Sequence, residues 1–170
     1  MPLTKKRVVL AIALGILLLG WMVLIFSFSC EDGQKSGKTS TDKVSEMLEV
    51  VTPSKPPEKI EAEVKENQKT IRKTAHFLVY TALGFLSASF FSAAIITSIK
   101  NRFLLSMSLC YFYAATDELH QFFVAGRSGL TGDIVLDLLG ALVAILLFFT
   151  AEKMWKFLKG KKGLRFLKFT

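Results

Sequence analysis

The stretch FLLSMSLCYFYAATDELHQFFV, residues 103–124, decides how many times this chain crosses a membrane, because it counts as a span only if its embedded acids are allowed for. Phe103 to Thr116 gives 14 residues free of charge, and Phe122-Phe123-Val124 is apolar again. Fourteen helical residues reach roughly 21 Å, short of a hydrocarbon core of about 30 Å. The helix must therefore carry Asp117, Glu118 and His120 some way into the membrane. Charges there cost on the order of 2.5–3.5 kcal/mol each on insertion scales and usually serve a function.

The rest of the chain supports that reading. Its 170 residues are 51% hydrophobic and gathered into long apolar blocks, with mean hydropathy +0.42. This is the composition of one integral membrane domain. Four segments qualify as spans: 8–29, 77–99, 103–124 and about 132–151. The expected fold class is therefore all-α, an integral membrane bundle of four transmembrane helices.

A net charge of +8 would suggest nucleic acid in a soluble protein, but here its placement reports orientation. Lys5, Lys6 and Arg7 precede the first span, and Lys100 and Arg102 fall in the expected link between the second and third. Lys153, Lys156, Lys159, Lys161, Lys162, Arg165 and Lys168 follow the fourth. All three groups lie on one side of a four-span chain, so that side, with both termini, is expected to be cytoplasmic. No nucleic-acid partner is expected; the bilayer is the partner.

The expected organisation is a cytoplasmic N-terminus at 1–7, a first transmembrane helix at 8–29 and an extracytoplasmic polar segment at 30–73. Three further helices occupy 74–151, and a basic cytoplasmic tail covers 152–170. Residues 31–73 balance nine basic against nine acidic side chains. Within them Val44, Met47, Leu48 and Val51 recur at helical spacing, a short amphipathic piece that Pro53, Pro56 and Pro57 stop. Glu58 to Lys73 reads as one helix leading into the second span, and 36–57 as a mobile, solvated linker. Cys30 and Cys110 fall at different depths, so no disulfide is expected between them. The first apolar run is too long for a signal-peptide core, which argues against an acylated Cys30.

Polar residues recur on particular helical faces. Lys73, His76, Tyr80 and Gly84 form one stripe of the second span. Asp133, Asp137, Gly140 and Ala144 form another on the fourth, where Gly140 and Ala144 suit close helix approach. Asp117, His120 and Gln121 share a face, with Tyr113 one turn earlier and Glu118 on a flank within reach of Gln121. Arg127 stands in the glycine-rich link Ala125-Gly126-Arg127-Ser128-Gly129, and Thr131 is placed to cap the fourth helix. On the expected topology Lys73, His76, Asp117, Glu118, His120, Arg127, Asp133 and Asp137 all fall in the outer leaflet. Polar residues that only hold helices together contribute about 0.6 kcal/mol per contact. So many ionisable groups at one depth exceed what packing requires, and a polar cleft open to the outer surface is expected.

The run Lys73-Thr74-Ala75-His76-Phe77 with Tyr80 and Leu83-Gly84, then Tyr113-Ala114 and Asp117-Glu118-Leu119-His120-Gln121-Phe122-Phe123-Val124-Ala125-Gly126-Arg127, resembles the VanZ-like membrane proteins. Asp133-Ile134-Val135-Leu136-Asp137 with Gly140, and the end of the first span from Trp21-Met22 to Ser29, agree. The resemblance covers about residues 20–150. It implies a four-helix bacterial membrane protein, mostly of Gram-positive cells, in a family whose founding member contributes to teicoplanin resistance and whose biochemical activity is not established. The motif positions it carries onto this chain are Lys73, His76, Tyr80, Asp117, Glu118, His120, Gln121, Arg127, Asp133 and Asp137. Two departures stand out: Ala125 where the family usually has Pro, and Gly132 where a basic residue is frequent.

Three functions compete. The first is a non-enzymatic envelope protein that binds a lipid-linked cell-wall component or a lipoglycopeptide antibiotic, with Arg127 and Lys73 gripping phosphate or carboxylate. The second is a membrane hydrolase or transferase on a lipid-linked substrate. There His120 would act as acid or base, Asp117 would orient it, and Glu118 and His76 would be further catalytic candidates. The absence of a Ser or Cys nucleophile in the cluster weighs against it. A metal set of His76, Asp117, His120 and Asp133 is chemically conceivable, but no compact ligand spacing supports it, and neither metal nor cofactor is expected. The third is ion or proton transport, for which four short helices and an apolar cytoplasmic half leave little room outside an oligomer.

Overall fold

A computed structural model describes residues 4–29, 42, 44–53, 56–94, 98–123 and 131–166. Every regular element among them is helical. Helix α1 covers Lys5–Ser29, α2 Pro57–Glu66, α3 Gln68–Ala94, α4 Ile99–Phe122 and α5 Thr131–Phe166. A further short helical stretch at 44–51 carries the amphipathic pattern read from sequence, and Met47, Val50 and Val51 on it are exposed.

Three of the described helices are long and apolar enough to cross a membrane: Lys5–Ser29, Lys69–Ala94 and Ile134–Lys159. Helix α4 is 24 residues long, about 36 Å at the helical rise. Its apolar stretch is bounded by Arg102 at one end and Asp117 at the other, which keeps it out of that set. Helix α3 is the centre of the bundle, with its most extensive contact against α5 and further contacts with α1 and α4. Helix α1 is apolar nearly all round yet mostly exposed, with Val9, Leu10, Leu17 and Val23 among its open side chains. A helix of that kind has lipid as its solvent.

The core is narrow. Leu18 and Ile25 of α1, Tyr80, Leu83 and Ala88 of α3, Cys110 and Ala114 of α4, and Ala141, Ile145 and Phe149 of α5 form one buried cluster. Small residues set the distance between α3 and α5. A Cβ added to Gly84 would lie 2.5 Å from the Ala141 carbonyl oxygen, and one at Gly140 would collide with the Phe77 carbonyl. The two helices touch backbone to backbone, as the small-residue stripes predict. Aromatic donors tie α1 to its neighbours: Trp21 Nε1 donates to the Val79 carbonyl at 3.1 Å, and the Tyr113 hydroxyl donates to that of Met22. Cys110 is buried, its thiol 3.6 Å from the Ser87 hydroxyl; Cys30 lies outside the described residues.

Three boundaries differ from the sequence reading. The expected single helix 58–73 is broken at Asn67, whose backbone N–H and side-chain amide both turn back to the Glu63 carbonyl and close α2. The second span ends at Ala94 and not at Ile99, because Ser98 starts a new helix by accepting from the Asn101 N–H at 3.2 Å. Lys100 and Arg102 therefore sit inside α4 and not in a link. Helix α5 runs on unbroken to Phe166, through most of the basic tail.

Candidate functional site

Helices α3, α4 and α5 bring five of the expected residues together. The Tyr80 hydroxyl of α3 donates to Asp117 Oδ2 of α4 at 3.2 Å. Gln121, one turn on from Asp117, donates to the same oxygen at 2.9 Å. His76, one turn before Tyr80, has Nδ1 3.6 Å from Asp137 Oδ1 of α5. Tyr80 is fully buried, and Asp137, Asp117 and Gln121 are 3%, 4% and 7% exposed. The second Asp117 oxygen, Oδ1, is buried and finds no hydrogen-bond partner among the described residues. Two carboxylates thus lie inside the bundle, Asp117 on α4 and Asp137 on α5.

The shared face expected for Asp117, His120 and Gln121 is divided between two neighbours. At 100° per residue Tyr113 and His120 fall 40–60° to one side of Asp117, and Gln121 falls about 40° to the other. Tyr113 and His120 accordingly meet α1: Tyr113 binds the Met22 carbonyl, and the His120 ring lies 4.8 Å from that of Phe26. Asp117 and Gln121 turn inward. Asp117 accepts from Tyr80 and Gln121 and not from His120, so the pairing expected of an acid–base dyad is not formed. Gln121 likewise gives its amide to Asp117, where the sequence had left Glu118 within its reach.

Lys73 is exposed one turn outside His76. Glu118 is half-buried, with Oε1 enclosed. Arg127 lies outside the described residues, and so does the side chain of Asp133 and that of Thr131, the expected cap. Among the described residues no three His, Cys, Asp or Glu side chains converge to hold a metal ion. What the described cluster offers a ligand is acceptors and one imidazole.

A second polar cluster, missed in the sequence, occupies the other end of the bundle, in the half expected to be almost wholly apolar. Arg102 of α4 is 6% exposed. Its guanidinium grips Glu152 of α5 through two bonds of 3.0 Å each, donates to the Ser92 hydroxyl at 2.9 Å, and lies 5.4 Å from the centre of the Phe149 ring. Lys156 also binds Glu152, and Arg7 of α1 donates to the Ser92 carbonyl at 2.7 Å. A signal was present: Glu152 is the only acid after Asp137 in the whole sequence, standing where a basic run begins. A carboxylate at a helix end with no local need for it has a partner elsewhere in the bundle.

A family model described as VanZ/LLP1 fits residues 14–153. No curated protein and no solved structure matches the chain.

Proposed function

The chain belongs to the VanZ/LLP1 family, and from that premise we propose that it is a polytopic protein of the bacterial cytoplasmic membrane whose polar cluster binds an outer-leaflet ligand. The ligand class is a lipid-linked cell-wall component or a lipoglycopeptide, and the cellular role is a contribution to glycopeptide resistance of the teicoplanin type. In this reading α4 is a fourth span beside the three apolar ones, both termini are cytoplasmic, and the His76–Asp137 end of the bundle faces outward.

The observation that carries the reading is the Tyr80–Asp117–Gln121 triad. An acid has been placed inside the bundle at a cost on the order of 2.5–3.5 kcal/mol, and only one of its two oxygens is used within the described protein. A carboxylate needed only for packing would have both oxygens occupied. The second oxygen supports a role toward something that enters from outside, such as the hydroxyl or amino groups of a sugar or peptide. Arg127, from the link beside this end, and Lys73 are the cations assigned to phosphate or carboxylate of the same ligand.

Binding to the protein in nanodiscs, with a lipid-linked precursor or a lipoglycopeptide as titrant, tests the reading. Saturable binding that falls at least ten-fold in Asp117→Asn supports it. Absence of binding by both titrants to a folded protein overturns it. The hydrolase or transferase alternative finds no specific support, since Asp117 does not orient His120.

A further inference from the structure

A groove at the opposite end of the bundle takes no part in the polar cluster. Val8, Ile12, Gly15 and Leu19 of α1 and Phe90 and Ala94 of α3 line a space of about 380 Å³ whose walls are almost wholly apolar. The Phe90 ring packs closely on Gly15, where an added Cβ would lie 3.2 Å from it. The lining extends from Val8 to Leu19, eleven helical steps or roughly 16 Å. That is about half of a hydrocarbon core of about 30 Å. The groove is one leaflet deep, and its long axis follows the direction in which an acyl chain lies.

Charge at the mouth identifies the occupant. Arg7 precedes Val8 in sequence, and its Nη2 is fixed on the Ser92 carbonyl. Arg102 binds the hydroxyl of the same serine, so two guanidinium groups flank Ser92. Among the described residues the carboxylate there is Glu152, shared by Arg102 and Lys156. Arg7, Arg102 and Lys156 outnumber Glu152 three to one, a surplus of two positive charges, and Lys5 and Lys6 stand exposed just beyond. Ser92 holds the Arg7 guanidinium in place, so much of the ordering that binding requires is already done. A second copy of this chain seated side by side on the groove would bring its own Lys5, Lys6 and Arg7 to the same mouth, a like-charge arrangement that disfavours it.

We propose that the α1–α3 groove is a binding site for one anionic phospholipid of the leaflet on the Lys5 side, with its phosphate on Arg7 and an acyl chain along Val8–Leu19. Basic pockets between membrane helices are suited to acidic headgroups, and guanidinium to phosphate in particular. The proposal is independent of the ligand proposed for the Asp117 cluster, which lies at the other end of the same helices.

The test is native mass spectrometry of the full chain in mild detergent, offered equal amounts of phosphatidylglycerol and phosphatidylcholine. The expected result is a one-lipid adduct in which phosphatidylglycerol predominates. Arg7→Gln should lower the phosphatidylglycerol-to-phosphatidylcholine ratio about five-fold, the contribution of one cation near a headgroup. Arg7→Lys should keep most of the preference, and Ala11→Phe, at a further residue of the groove lining, should fill the groove and reduce the adduct with either lipid. Glycerol phosphate, a headgroup without tails, should fail to displace the lipid. Equal retention of the two lipids by the wild type, an unchanged ratio in Arg7→Gln, or displacement by glycerol phosphate overturns the proposal. So does a dimer that Ala11→Phe dissociates, because the groove then belongs to a second copy. Should Arg7→Gln not fold, the Arg7→Lys and Ala11→Phe variants decide the matter alone.

Discussion

Replacing Gly84 by Ala tests whether backbone contact between α3 and α5 holds the polar cluster together. The new methyl group would lie 2.5 Å from the Ala141 carbonyl oxygen, 2.8 Å from its Cα and 3.0 Å from its carbonyl carbon. None of these is the end of a flexible side chain, so the helices themselves must part, by close to 1 Å, to restore ordinary contact. Alanine would gain about 1 kcal/mol of helix propensity over glycine. Overpacking costs typically 1–3 kcal/mol, and a rigid backbone neighbour puts this site at the upper end. The expected net loss is about 1–2 kcal/mol, measured by reversible unfolding in mixed detergent micelles. Gly20 supplies the control, because a methyl group there meets nothing within 4 Å; Gly20→Ala should be neutral or stabilising. Gly140→Ala should cost as much as Gly84→Ala, but the double variant should cost less than the sum, since separating the helices relieves both collisions at once. Strict additivity, or equal effects at Gly20 and Gly84, would refute the reasoning.

Three further outcomes concern the polar layers. Tyr80→Phe should lower stability by about 0.6–1.7 kcal/mol, the range for hydrogen bonds between membrane helices, and the loss should largely vanish when Asp117 is already Asn in a double-mutant unfolding cycle. Glu152→Gln, which leaves the Arg102 charge without its counterion, should cost about 2–3 kcal/mol, somewhat less than a fully enclosed pair, because the Glu152 side chain is 19% exposed. Lys156→Gln, at a side chain 61% exposed, should change the same unfolding midpoint little.

The parts of this molecule legible in its sequence are those written in periodicity. The stripes Lys73–His76–Tyr80–Gly84 and Asp133–Asp137–Gly140–Ala144 marked a face on each of α3 and α5 without naming its partner, and the structure places His76 beside Asp137 and Gly84 against Ala141, the residue after Gly140. A stripe follows from 3.6-residue geometry and needs no knowledge of the partner. Asp117 and His120 show the limit of that argument. Three residues apart, they belong to one broad face, but a 60° offset is enough to send one inward and the other against Phe26 of α1. Which neighbour lies on which side is a tertiary fact, absent from the pattern of a single helix.

The Arg102–Glu152 pair was hidden for a different reason: a charge near a span end reads as a topology signal, and nothing local separates an arginine in water from one in the bundle. The antiparallel register of α4 and α5 supplies what was missing. Arg102 and Asp117 are fifteen residues apart on α4, and Asp137 and Glu152 are fifteen apart on α5. On each helix that spacing amounts to roughly 22 Å. When Arg102 is bound to Glu152, equal spacing brings Asp117 and Asp137 to the same level at the other end, facing Tyr80 and His76 of α3. The two polar layers therefore fix one another's register, and neither helix can slide by a turn without unpairing both. The apolar slab between them is thinner than a hydrocarbon core of about 30 Å. At least one layer must then lie below the headgroups or draw the bilayer in around it, which is the depth that the proposed lipid-borne ligand requires.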